Sequence, residues 1–119
     1  MSFSVTVHEL PGVLVVEGSG QATLAHLCGY MNFVGEVATR THANRAVLNL
    51  MGVSIDLSFT EHLTLGAHAA EQLRALERVA SAVPPRFRSG TSEQAAQKTG
   101  LRFRTFTTFN EALDWVRLD

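Results

Sequence analysis

The chain has 119 residues, which predicts one domain (1–119) that buries roughly two-thirds of its unfolded surface around a core without staples. A hydrophobic share of 45% with 18% charged residues excludes a disordered chain, and a net charge of −1 excludes a global field that would hold nucleic acid or an anionic membrane. One cysteine, Cys28, excludes an intramolecular disulfide and a cysteine-based metal cluster.

"SVTVHEL" and "VLVVEGSG" read as two strands joined at Pro11-Gly12. Val5 and Val7 alternate with Thr6 and His8, while Val13 to Val16 run without a break, as in an edge strand beside a central one. Gly18, Ser19 and Gly20 then break the pattern. From Thr23 to about Thr41 the period changes. Leu24, Leu27, Cys28, Met31, Val34, Gly35 and Ala38 predict a helix with one buried face, capped by Thr23. Cys28 in that stripe reads as a small hydrophobe. Gly29 and Gly35 each cost a helix about 1 kcal/mol relative to alanine, so both are expected to allow close packing on the sheet. Asn44 lies near the helix exit, and "RAVLNLMGV" follows as a buried strand.

In "GVSIDLSFTEH", Ser58, Phe59, Thr60 and Glu61 form an S-x-x-E capping box that starts the second helix. Its predicted buried stripe is Phe59, Leu63, Gly66, Ala67, Ala70 and Leu73. "LERVASAV" is a further apolar strand, closed by Pro84-Pro85. "SGTSEQAAQKTG" reads as a short polar helix ended by Gly100. "LRFRTF" sets Leu101, Phe103 and Phe106 against Arg102 and Arg104. Thr108 to Glu111 form a second capping box, and Phe109, Ala112, Leu113 and Val116, with Trp115 beside them, line a terminal helix. The order β-β-α-β-α-β-α-β-α predicts an α/β sandwich whose sheet is mainly parallel, with one antiparallel edge strand.

The chemistry is sparse. A nucleophilic Ser58 needs a base, and His62 lies one turn on with Asp56 as a conceivable orienting group. No G-x-S-x-G elbow is present, and three such groups within seven positions do not reach triad geometry, so no catalytic residue is expected. The five histidines are scattered. His62 and His68 are six apart, roughly 240° around a helix, so neither a metal site nor a cofactor is expected. From Arg74 to Arg104 the chain is basic, and Arg86 and Arg88 in "PPRFRSGTSE" precede a helix start, an arrangement suited to an anion or an acidic partner. The small residues of the second helix let it pack closely on the sheet. Alternatively they leave an apolar groove at Gly66 and Ala70, walled by Phe33, Phe59 and Phe87.

"VLNLMGVS", a short polar turn, and then a serine opening a helix resemble the STAS domains of anti-sigma-factor antagonists. "ERVA" (Glu77 to Ala80), the loop from Phe87 to Gly90, the strand around Phe103 and "EALDW" (Glu111 to Trp115) resemble the SpoIIAA-like, or STAS/SEC14-like, branch. The resemblance implies a sheet of four or five strands with helices around it and a non-enzymatic role. A regulatory protein partner or an apolar small molecule, such as a lipid, would be bound. It implies a phosphorylated serine at the start of the second helix, for which Ser58, with Asp56 before it, is the counterpart. The family's D-S-[ST]-G turn reads Asp56, Leu57, Ser58, Phe59 here, with Phe59 in the glycine's place. "MSFSVTVHEL" lacks the features of a signal peptide, and no apolar run approaches the roughly 20 residues that span a bilayer, so a cytoplasmic location is expected. The apolar edge strand leaves room for a homodimer.

Overall fold

The computed structural model describes residues 2–88 and 90–118. Strands β1 (Ser4–Leu10), β2 (Val13–Ala22), β3 (Arg45–Ile55), β4 (Arg78–Ala82) and β5 (Phe103–Phe106) form one sheet in the order β1-β2-β3-β4-β5. β1 pairs antiparallel with β2, closed by Leu10 opposite Val13, and every other neighbour is parallel. Helices α1 (Leu24–Thr41), α2 (Phe59–Gln72), α3 (Gly90–Gln97) and α4 (Phe109–Val116) connect or follow the strands, and a 3-10 turn spans Pro85–Phe87. The sequence order and the single antiparallel edge strand therefore hold.

Alternation along the strands separates two cores. Leu14, Val16, Ala46, Leu48, Val79 and Phe103 face α1, α2 and α3. Val13, Val15, Val47, Ala80 and Ala82 face α4 through Ala112 and Val116. One irregularity lets β3 serve the larger core along its whole length. Between the pairs Glu17–Asn49 and Ser19–Gly52, β2 advances two residues and β3 three. That bulge turns Val53 onto the face already served by Leu48 and Leu50. The Asn49 side chain accepts the Met51 amide there at 3.3 Å.

Several sequence expectations need correction. Gly18, Ser19 and Gly20 do not end β2 but lie within it. A side chain at Gly18 would meet the Phe3 ring at 3.0 Å, and Gly20 (φ +106°) lies against the Ser2 carbonyl. Gly35 faces α2, not the sheet, because a Cβ there would come 2.5 Å from the Gln72 carbonyl. Gly29 has open space around it. α1 ends at His42, whose φ of 57° takes the left-handed cap and sends the Ala43 amide back to Ala38. The second capping box is half formed. Thr108 Oγ1 accepts the Glu111 amide at 3.2 Å, but Glu111 Oε1 takes the Thr108 hydroxyl instead of its amide. Phe106 turns away from Phe103, toward Trp115 on the α4 side.

Arg78, counted above in a basic stretch, is buried. Its Nη1 donates to the Trp115 carbonyl at 2.9 Å, and its guanidinium lies 5.2 Å from the Trp115 ring centre. Arg45, its register partner, donates to the carbonyls of Val116 (2.9 Å) and Leu118 (2.7 Å) and pairs with Glu77. Two cations thus hold the negative end of the α4 dipole against the sheet. Among the described residues no helix is long and apolar enough to cross a membrane.

Candidate functional site

β3 leaves the sheet at Ile55, and three residues later Ser58 opens α2 in extended geometry (φ −71°, ψ 168°). Both halves of the predicted capping box are present. Ser58 Oγ accepts the Glu61 amide at 3.2 Å, and Glu61 Oε1 accepts the Ser58 amide at 3.0 Å. The Ser58 hydroxyl also lies 3.2 Å from Thr60 Oγ1. Ser58 and Asp56 are both exposed. α1 starts beside it in a second box, where Thr23 Oγ1 accepts the His26 amide and His26 Nδ1 accepts the Thr23 amide at 3.1 Å. The two helix starts flank an open depression of about 360 Å³ that includes Thr23, His26, Ser54, Asp56 and Glu61.

The apolar stripe of α2 is rotated from the one expected. Leu65, Gly66, Ala69 and Ala70 are buried, whereas Phe59 is 66% exposed, Leu63 40%, and Ala67 is also exposed. Two overlapping stripes are available on this helix, and the sheet takes the one containing Leu65 and Ala69. Phe59 and Leu63, one turn apart, remain as an apolar ridge directly after Ser58.

Beneath α2, at the carboxyl ends of β3, β4 and β5, lies a mostly apolar cavity of about 50 Å³. Of the residues expected to form a groove, Gly66 and Phe87 line it; Phe33, Phe59 and Ala70 do not. Phe33 is 40% exposed and sits two positions before Gly35, about 200° around α1, so it points away from α2. Gly66 leaves space for α3, since a Cβ there would lie 2.5 Å from the Ser92 carbonyl and 2.6 Å from Ala95 Cβ.

His62 does not pair with Ser58 through its side chain. Its Nδ1 lies 2.9 Å from Ser92 Oγ on α3, and Ser92 Oγ is also 3.2 Å from the His62 carbonyl. Burial lowers the His62 pKa from its ordinary 6.5, partly offset by the nearby Glu61 carboxylate. His68 meets Asn32 across the α1–α2 contact, and His8 meets Glu17 at the sheet edge. Among the described residues no three histidine, cysteine or acidic side chains gather as metal ligands. Burial also pushes the Cys28 thiol upward. Arg86 and Arg88 are exposed, and the Arg86 guanidinium lies 4.7 Å from the Phe87 ring centre. Ser89, part of the same expected loop, lies outside the described residues.

Sequence reasoning missed Ser81, Ser92 and Thr105, which line the cavity with His62. Ser81 and Thr105 stand opposite each other in the β4–β5 register. Their signal was present as a polar residue at an inward position between apolar neighbours, Val79 and Val83 for Ser81 and Phe103 for Thr105.

The sheet order, the one antiparallel edge and the helix placement define the SpoIIAA-like, or STAS-like, fold. Two solved structures share it over nearly the whole chain. An anti-sigma factor antagonist from Mycobacterium paratuberculosis matches with a TM-score of 0.65 at 20% identity, covering 98% of this chain and 96% of the other. An uncharacterised protein with a SpoIIAA-like fold from Shewanella loihica matches with a TM-score of 0.56 at 19% identity, covering 96% and 93%. No family model and no curated protein sequence matches the chain.

Proposed function

We propose that the chain is a cytoplasmic, non-catalytic regulatory domain that binds a protein partner over the start of α2. The observation that carries this reading is the apolar ridge of Phe59 and Leu63 beside the exposed Ser58 cap. Exposed aromatics of this kind are favoured anchors in protein interfaces. The likeness to an anti-sigma factor antagonist supports the regulatory part. The serine serves as a cap, and the phosphate switch is absent. Phosphate would add nearly two negative charges beside Glu61 and Asp56, and Phe59 blocks the close approach that a glycine would allow.

The apolar-carrier reading draws less support, since about 50 Å³ is far below the roughly 300–1,000 Å³ typical of small-molecule sites. A lipid tail does not fit that space. The test is calorimetric binding to purified anti-sigma-type kinases, with intact-mass analysis after incubation with ATP. Binding that is lost in Phe59→Asp but kept in Ser58→Ala, without a gain of phosphate mass, is the expected result. Phosphorylation of Ser58, or binding indifferent to Phe59→Asp, overturns the reading.

A further inference from the structure

The free edge of β5 is closed by side chains instead of by a strand. The Val79 and Val83 amides donate to the Arg102 and Phe106 carbonyls, so the backbone at those positions is turned toward β4. In a parallel ladder the alternate residues, Phe103 and Thr105, then aim their amides and carbonyls outward at the sheet edge. Two side chains of α3, one turn apart, meet them there. Gln97 Nε2 donates to the Phe103 carbonyl at 2.8 Å, and Glu93 Oε1 accepts the Thr105 amide. A parallel neighbour would bond these same two groups with the amide and carbonyl of one residue, the one opposite Arg104. Glu93 and Gln97 therefore stand in for one residue of a sixth parallel strand. An edge of this kind is where a sheet accepts another chain.

The charge around this edge is one-sided. Glu93 is the only acidic residue between Arg78 and Asn110, and its carboxylate sits on the edge itself. Arg86, Arg88, Lys98, Arg102 and Arg104 are all exposed, and among the described residues none of them is in an ion pair. Arg104 stands on β5, on the α4 side with Ala80, its guanidinium 5.5 Å from the Phe106 ring centre. Lys98 follows Gln97, Arg102 precedes β5, and Arg86 and Arg88 flank Phe87, which lines the same cavity as Thr105. The helix that supplies the cover is eight residues long, with Ala96 its only buried residue among those described, too little to hold a helix by itself. A second β5 in its place would set these arginines against their own copies. A nucleic acid offers the edge no alternation of amide and carbonyl.

We propose that the β5 edge is a strand-addition site for an extended, acidic segment of a protein partner, and that Glu93 and Gln97 of α3 are its built-in competitor. The incoming residue opposite Arg104 takes the Phe103 carbonyl and the Thr105 amide in their place, and a carboxylate on that residue faces the Arg104 guanidinium. The site goes beyond the partner surface proposed above at the start of α2 and uses none of its residues.

The test measures binding of a capped, fluorescently labelled alternating valine–glutamate heptapeptide to the full chain and to Glu93→Ala/Gln97→Ala. A valine–lysine heptapeptide and a thymidine decanucleotide serve as comparisons. Removing the competitor is expected to tighten binding of the acidic peptide about ten-fold, since each competing hydrogen bond is worth a few-fold. Arg104→Glu added to that variant is expected to abolish the gain. A double variant that binds the acidic peptide no better than the unaltered chain overturns the proposal and leaves α3 as a permanent cover of the edge. Equal or stronger binding of the basic peptide or the oligonucleotide, or self-association of the double variant in sedimentation, overturns it as well. If the double variant does not fold, the Thr105 amide resonance decides. The acidic peptide at high concentration is then expected to shift it in the unaltered chain and not in Arg104→Glu, and equal shifts in both, or none in either, overturn the proposal.

Discussion

Gly66 of α2 and Ser92 of α3 meet so closely that a Cβ on the glycine would stand 2.5 Å from the serine carbonyl oxygen. Because the obstructing atom is backbone, the contact cannot relax by a rotamer change. It brings α3 against α2 and places the Ser92 hydroxyl beside His62.

This contact gives the first prediction as a contrast between two helix glycines. Gly66→Ala forces α2 and α3 apart and is expected to destabilise by about 1–3 kcal/mol, despite the better helix propensity of alanine. Gly29→Ala meets nothing within 4 Å and is expected to stabilise by about 0.5–1 kcal/mol. Urea unfolding of the two variants measures both signs, and equal effects would remove the contact argument.

Tyr30 supplies the second. Its phenol is buried and donates to the Val16 carbonyl at 2.6 Å, and burial aided by Glu17 raises its pKa well above the ordinary 10.0. Tyr30→Phe is expected to cost about 0.5–1.5 kcal/mol. In the unaltered chain the phenolate absorbance band should appear on alkaline titration only with unfolding.

His62 makes stability depend on pH. Its folded pKa lies below the unfolded 6.5, so between the two values the unfolded chain binds the extra proton. The contribution is complete above about pH 6.5 and is lost as the pH falls toward the folded value. Thermal midpoints between pH 5 and 7.5 should therefore decline less on acidification in His62→Gln than in the unaltered chain. Parallel curves would show that His62 carries no such linkage.

At the opening of α2, Ser58→Ala removes the acceptor of the Glu61 amide and should cost about 0.5–2 kcal/mol. The loss should be similar in Glu61→Ala, because the box is reciprocal. A double variant no worse than either single one would show that the two bonds act as one unit, as measured by denaturant midpoint.

Much of the fold was legible because it rests on local rules. The caps at Thr23 and Ser58 need only a hydroxyl and a residue three positions on, and both appear where the sequence places them. The strand–helix alternation needs only periodicity. The candidate site was less legible. Phe59 and Leu63 fit a helical stripe as well as Leu65 and Ala69 do, and nothing within α2 says which stripe meets the sheet. His62 stands one turn from Ser58 in sequence, but its side chain bonds a serine 30 residues away.

The sequence by itself determined the order of elements, the starts of α1 and α2 and the parallel character of the sheet, since each follows from hydrogen bonds and spacings within a few residues. Tertiary structure decided the rotation of α2, the approach of α3 to Gly66 and the meeting of Ser81 with Thr105 in one cavity. Those depend on strand register and on backbone-to-backbone distances between segments far apart in the chain, where packing selects one arrangement among several that the local pattern permits.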